Sequence, residues 1–225
     1  MIKAVFFDWM NTLAHPEPDR HEQYCQAARE MGIELSPEKA MKGIYVADSQ
    51  VPAGIPPKWS EEKDPGPFIR FQEVLLAEAG IKLPRDMILK LIKRFKRLLE
   101  EASFVLYDDV LLTLKTLKQK GLILGVISNL YIGRVGAGID PYLDFVVTAK
   151  EAGANKPAPP IFLAALDRAG VEASEAVYVG DQYDIDVVGA RGVGIKPILI
   201  DRYDLMPEVS DYPRIRSLPE LSQYL

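Results

Sequence analysis

Along this chain, short unbroken apolar runs alternate with longer segments whose apolar residues recur every three or four positions. The first run, Ala4-Val5-Phe6-Phe7, stops at Asp8. Comparable runs cover Leu122 to Ile127, ending in Ser128-Asn129, and Ala176 to Val179, ending in Gly180-Asp181; Phe145 to Thr148 and Pro197 to Ile200 are two more. None alternates with polar residues, so each reads as a strand buried on both faces, as in a parallel sheet. Helical spacing fills the intervals from about Asp109 to Lys120, Pro159 to Ala169 and 184 to 191. Repeated strand-helix alternation implies right-handed crossovers, and the predicted core is a doubly wound, Rossmann-like α/β sheet. Strand ends in such a sheet converge on one crevice, where ligands bind.

A long helical segment interrupts this pattern between the first two strands. Residues 18 to 31 and 68 to 79 read as helices closed by Gly32 and Gly80, and Ile88, Leu91, Ile92, Phe95, Leu98 and Leu99 form an apolar stripe from Asp86 to Glu101. Val51 to Phe68 holds five prolines, two glycines and Trp59, and is expected to be a surface loop. A second loop, with a short helix, is expected around Gly133, Gly136 and Gly138. The predicted organisation is an α/β domain from 1 to 13 and 105 to 225, with a helical domain from 14 to 104 inserted in it.

Composition narrows the function classes. The 225 residues carry a formal net charge of -5 without a basic tract, which argues against nucleic acid as the main partner. No apolar run approaches the roughly 18 to 20 residues that a membrane span needs. The chain begins directly with a strand, and its one cysteine, Cys25, lies in a helical pattern. A cytoplasmic protein without disulfides is expected.

The chemistry is concentrated at the strand ends. Asp8 and Asp181 place two carboxylates at one rim, where they repel unless a cation sits between them; hard divalent ions such as Mg²⁺ take oxygen ligands of this kind. Asp186, five residues beyond Asp181, can support that ion or receive backbone N–H groups, whereas Asp184 is expected only to cap the following helix. Ser128 and Asn129 offer neutral donors to an anion, although Ser-Asn after a strand is equally common turn chemistry. Lys156, kept out of the helical region by Pro157, would bring a balancing cation to the same rim.

These four pieces, in this order, resemble the haloacid dehalogenase superfamily: an apolar run into DxDGT, an apolar run into Ser-Asn, a lysine, and an apolar run into GDxxxxD. The resemblance covers roughly residues 1 to 13 and 105 to 201, and the helical segment stands where that superfamily inserts a cap. It implies a hydrolase in which Asp8 attacks phosphorus to form an aspartyl-phosphate. Ser128, Asn129 and Lys156 would bind the phosphoryl group, with Ser128 and Lys156 also catalytic. Mg²⁺ would be held by Asp8, Asp181, the backbone carbonyl of Met10 and Asp186. The implied substrate is a small phosphorylated molecule.

Two positions depart from the pattern. Met10 stands where the superfamily's phosphatases carry the aspartate that protonates the leaving group and later activates water. Acid–base assistance is worth about 10²- to 10⁴-fold. Asn11 replaces a glycine, a tolerable change because asparagine enters left-handed backbone readily. Three readings follow: a Mg²⁺-dependent phosphohydrolase that manages without this acid or borrows one from His15, Asp19 or His21; a 2-haloacid dehalogenase, whose leaving halide needs no proton; and a non-catalytic binder of phosphorylated ligands or partners. Retention of Asp8, Lys156 and Asp181 favours the first.

Overall fold

The structure, a computed structural model, describes residues 1–51, 66–129, 138–207 and 209–225. The expected Pro-rich loop around Trp59, and most of the expected glycine loop, lie outside the described residues. The chain forms two compact units, Met1–His15 with Leu106–Leu225, and Pro16–Val105.

The chain opens with strand β1 (Ala4–Phe7) and a short strand β2 (Ala14–Glu17), then enters four helices. Helix α1 (Arg20–Arg29) starts where the Glu22 carboxylate accepts from the Asp19 backbone N–H at 3.0 Å. Helix α2 (Pro37–Gln50) was not expected. It begins at Ser36, whose hydroxyl accepts from Lys39 N–H at 3.4 Å, with Pro37 in the first turn. Helix α3 (Gly66–Glu78) follows, and α4 (Arg85–Glu101) carries the predicted stripe, with Ile88, Leu91, Ile92, Phe95 and Leu98 buried. Gly32 and Gly80 both adopt left-handed backbone beyond α1 and α3, as closing glycines do. Gly43 allows α2 to lie directly on α3: a Cβ there would stand 2.5 Å from the Leu75 carbonyl oxygen. Tyr24 stacks on Phe95, centroids 3.9 Å apart, and its buried hydroxyl accepts from Gln72 Nε2 at 2.9 Å. Strand β3 (Ser103–Leu106) then pairs with β2 in a two-stranded sheet.

The remaining elements build the larger sheet. Helix α5 (Val110–Gln119), β4 (Ile123–Ser128), β5 (Phe145–Thr148), the short α6 (Ala149–Ala152), α7 (Pro159–Ala169) and β6 (Ala176–Gly180) come in turn, followed by α8 (Val188–Gly192), β7 (Lys196–Ile200) and β8 (Arg214–Ile215). Strand order is β5-β4-β1-β6-β7-β8, and every pairing is parallel. The sheet is buried on both faces, as unbroken apolar strands require. Val5, Phe7, Leu124, Val126, Val177 and Val179 meet Val110, Leu114 and Leu117 of α5 on one side. Ala4, Phe6, Ile127 and Tyr178 meet Ile161, Phe162 and Ala165 of α7 on the other. From β1 the chain proceeds outward through β4 and β5, then returns to β6 on β1's opposite flank. That reversal makes the end of β1 the switch point of the sheet, where a ligand crevice forms.

Two expectations are corrected. The predicted helix from 184 to 191 is a π-helical turn, Tyr183–Val187, followed by the short α8. The chain beyond β7, which the sequence pattern leaves as a short tail, instead supplies a sixth strand and a 3-10 turn, Leu218–Gln223, whose Leu218 and Leu221 are buried against the sheet. Among the described residues, no helix is long and apolar enough to cross a membrane.

Candidate active site

Parallel pairing of β1 with both neighbours aligns Phe7 with Val126 and Val179, and the Asp8 N–H donates to the Val179 carbonyl at 2.8 Å. Asp8 therefore leaves the sheet between the ends of β4 and β6. Ser128 is buried at the end of β4, opposite Thr148 of β5. Asp181 immediately follows β6, and one carboxylate oxygen from each of Asp8, Asp181 and Asp186 lies within 4.8 Å of the others.

Lys156 is buried among these groups. Its Nζ donates to Asp8 Oδ1 at 2.5 Å, to Asp186 Oδ1 at 2.7 Å and to the Tyr178 hydroxyl at 2.8 Å, which employs all three of its protons. The Tyr178 hydroxyl in turn donates to Asp186 Oδ1, also at 2.8 Å. Asn129 grips the lysine's main chain: its Oδ1 accepts from Lys156 N–H at 2.7 Å and its Nδ2 donates to the Lys156 carbonyl at 3.2 Å. The ammonium is fixed from both ends.

Asp186 is brought under the end of β6 by the π-helical turn, in which its own N–H donates to the Gln182 carbonyl at 2.8 Å and its Oδ2 accepts from Gln182 N–H at 3.0 Å. Such turns cluster at functional sites. Gly180 makes the turn possible by leaving space: a Cβ there would lie 2.3 Å from Asp186 Cγ. Asp184 is exposed.

The loop after Asp8 is equally constrained. Leu13 and Ala14 N–H groups both donate to the Trp9 carbonyl at 3.0 Å, and Asn11 N–H to the Ala14 carbonyl at 2.7 Å. Asn11 holds φ 57°, and its Nδ2 donates to Asp181 Oδ2 at 3.2 Å. Met10 is half-buried beside it. Of the groups considered as substitute acids, His15 stacks on Tyr107 with centroids 4.5 Å apart, Asp19 precedes α1, and His21 lies on α1.

Among the described residues, three carboxylates face one ammonium, a formal surplus of two negative charges at a largely buried site. Burial lifts the Asp8 carboxyl, Lys156 pulls it back and Asp186 pushes it up again, leaving it at about 6. Asp181 is held well above the carboxylate range by burial and by the charges of Asp8 and Asp186. Burial opposes the Lys156 charge, yet Asp186 and Asp8 bind its proton more tightly than usual. Asp181 Oδ1 is buried and has no hydrogen-bond partner among the described residues. Surplus negative charge, oxygen donors and one orphaned carboxylate oxygen together fit a hard divalent cation.

The profile of the haloacid dehalogenase-like hydrolases matches residues 2–194. The chain belongs to this family. Among relatives of this hydrolase, the glyceraldehyde 3-phosphate phosphatase of Methanopyrus kandleri is 31% identical, with 94% of this chain and 90% of the relative covered. The ribulose-1,5-bisphosphate 5-phosphatase of Halopiger xanaduensis is 29% identical, with 89% and 85% covered. A solved 2-haloacid dehalogenase from Pseudomonas syringae aligns over the whole of both chains, with 27% identity and a TM-score of 0.55.

Several features of the hydrolase's site escape a linear reading. Tyr178 lies inside an apolar strand, and its only signal is that a hydroxyl buried in a sheet must find a partner. The amide of Asn11 reaches Asp181 across 170 positions of sequence. Gly180 marks a volume requirement set six residues later.

Proposed function

We propose that this hydrolase cleaves phosphate esters of small molecules by covalent catalysis at Asp8. The observation that carries the reading is the Asp8–Lys156–Asp186 cluster at the switch point, with Asp181 Oδ1 left over for a cation. The Asp8 carboxylate attacks phosphorus, forms an acyl phosphate and releases the substrate's alkoxide. Water then attacks the acyl phosphate and regenerates Asp8 with free phosphate. The Ser128 hydroxyl and Lys156 Nζ stabilise the charge that accumulates on the phosphoryl oxygens, and Asn129 sets where that ammonium stands. Asp8, Asp181 and the Met10 carbonyl would hold Mg²⁺, with Asp186 in support. When bound, Mg²⁺ supplies Lewis-acid neutralisation of the phosphoryl oxygens.

Met10 can neither donate nor accept a proton. Esters whose alkoxides leave without protonation are therefore the favoured substrates, and p-nitrophenyl phosphate is the probe. We expect Mg²⁺-dependent phosphate release that falls to the buffer background in Asp8→Asn. A protein that releases no phosphate from any activated ester with Mg²⁺ present would transfer the reading to ligand binding without turnover. Phosphorylated sugars are the first natural class to try, because the names of the two curated relatives specify them.

The Pseudomonas syringae likeness and Met10 favour a second reading, dehalogenation. Against it stands Asp181: halide displacement needs no cation, which would leave the buried Asp181 Oδ1 without a partner among the described residues. Chloride release from 2-chloropropionate in the presence of a chelator would reverse the order of the two.

A further inference from the structure

Arg202, two residues beyond β7, has a side chain that is only 9% exposed and makes four hydrogen bonds. Two go to Asp109, at 3.0 Å each, in the fork geometry that a guanidinium and a carboxylate share. The other two, from Nε at 3.2 Å and Nη2 at 2.8 Å, converge on the carbonyl of Thr12. The guanidinium also lies 3.9 Å from the centre of the Tyr107 ring, which stacks on His15. Asp109 is anchored in turn by the N–H of Leu218 at 2.9 Å. His15 and Leu106 are the residues at which the chain leaves and re-enters the α/β unit.

An ion pair made only for stability has no need of Thr12. Half of the donors are instead spent on a neutral carbonyl in the loop Trp9–Ala14, one residue from Asn11 and two from Met10. Inside that loop the N–H groups of Asn11, Leu13 and Ala14 are already bonded to the loop's own carbonyls. From outside the loop, Tyr107 N–H donates to the Leu13 carbonyl at 3.2 Å, the Asn11 amide reaches Asp181, and Arg202 holds the Thr12 carbonyl, the one of these contacts made by a charged donor. We propose that Arg202 is a positioning residue for the metal-facing loop. Through Thr12 it fixes where the Met10 carbonyl and the Asn11 amide stand relative to Asp8 and Asp181. This rests on the metal-dependent reading above. Supporting groups that orient metal ligands are typically worth about 10- to 100-fold in metal affinity or activity.

The test uses Mn²⁺ as a paramagnetic substitute for Mg²⁺, with the free ion counted by electron paramagnetic resonance, so that it needs no turnover. Arg202→Met retains an apolar stem against Tyr107 and removes every donor. We expect its Mn²⁺ dissociation constant to rise about 10- to 100-fold, with kcat on p-nitrophenyl phosphate falling and KM nearly unchanged at saturating metal. Arg202→Lys keeps a charge that can reach Thr12 but loses the fork, and its affinity should lie between parent and Met variant. Melting curves establish that each variant is folded; if Arg202→Met is not, Arg202→Lys carries the test alone. A folded variant of either kind that binds Mn²⁺ as tightly as the parent overturns the proposal. A parent that binds Mn²⁺ but hydrolyses nothing defeats the phosphatase reading and leaves this one standing. A parent that binds no Mn²⁺ defeats both.

Discussion

The loops that follow β1 and β6 perform parallel tasks by different means. Each begins with a carboxylate, Asp8 or Asp181, delivered by a buried strand to the same rim. The β6 loop is closed from within: a π-helical turn carries Asp186 back under Gly180, and Tyr178 and Gln182 bond its two oxygens. The β1 loop has Met10 where an acidic side chain would serve proton transfer, and it is held from outside, by the Asn11 amide on Asp181 and the Arg202 guanidinium on Thr12. The groups proposed to stabilise charge are thus held by redundant bonds, whereas the position proposed for proton transfer is filled by a group without a proton. On the proposed mechanism, attack and stabilisation are separable from acid–base assistance, and substitutions in the two loops should fail differently.

The largest effect is expected from restoring what the first loop lacks. Met10→Asp should raise kcat toward esters with poor leaving groups by an amount within the roughly 10²- to 10⁴-fold range of acid–base catalysis, and raise it less for p-nitrophenyl phosphate. Equal rates for parent and variant across a leaving-group series would mean that proton transfer is supplied elsewhere or does not limit turnover.

Gly180→Ala attacks the other loop. The added methyl overlaps the Asp186 carboxyl carbon, and overpacking of this kind costs about 1–3 kcal/mol. Because Asp186 must move, Lys156 loses one of its three acceptors, so catalysis and melting temperature should fall together. A variant with parental melting behaviour and parental kcat would show that the second loop is less rigid than its bonds imply.

How far these loops could be read in advance follows from the range of the forces that shape them. The parallel sheet was legible because burial on both faces leaves unbroken apolar runs, and the left-handed backbone of Asn11 was legible only through the resemblance, which implies a glycine at that position. Helix α2 was not, since its buried positions Ala40, Gly43, Ile44 and Ala47 are mostly small and make a faint stripe. Two-residue β8 offers no periodicity at all. The π-helical turn was hidden for a different reason: its extra residue is set by where Asp186 must reach, a tertiary demand that local propensity does not encode. The same holds for Tyr178 and Arg202, whose partners lie 22 and 190 positions away.

A smaller effect is expected from Tyr178→Phe, which keeps the ring that packs edge-on against Phe162 but deletes the hydroxyl between Lys156 and Asp186. A buried donor left unsatisfied costs about 1–3 kcal/mol. Lys156 keeps both carboxylate partners, so kcat should fall by roughly tenfold, the rate equivalent of 1.4 kcal/mol, while the fold survives. Loss of folding instead would assign the hydroxyl to the core rather than to the ammonium.

Asn11 permits the finest dissection, because its backbone and its amide do separate things. Glycine accepts φ 57° at least as readily as asparagine but carries no donor, whereas alanine loses the donor and also resists the backbone. Asn11→Gly should therefore fold as the parent does and weaken Mn²⁺ binding only by a few-fold, since Asp181 Oδ2 loses one 3.2 Å bond that the cation itself partly replaces. Asn11→Ala should weaken binding further and lower the melting temperature, the added strain being about 1 kcal/mol. If the two variants bind Mn²⁺ alike, the amide is what orients Asp181, and the loop's shape is guaranteed by its internal bonds and by its contacts with Arg202 and Tyr107. If glycine matches the parent, the amide contributes nothing, and the first loop is held at Thr12 by Arg202 and at Leu13 by the Tyr107 N–H.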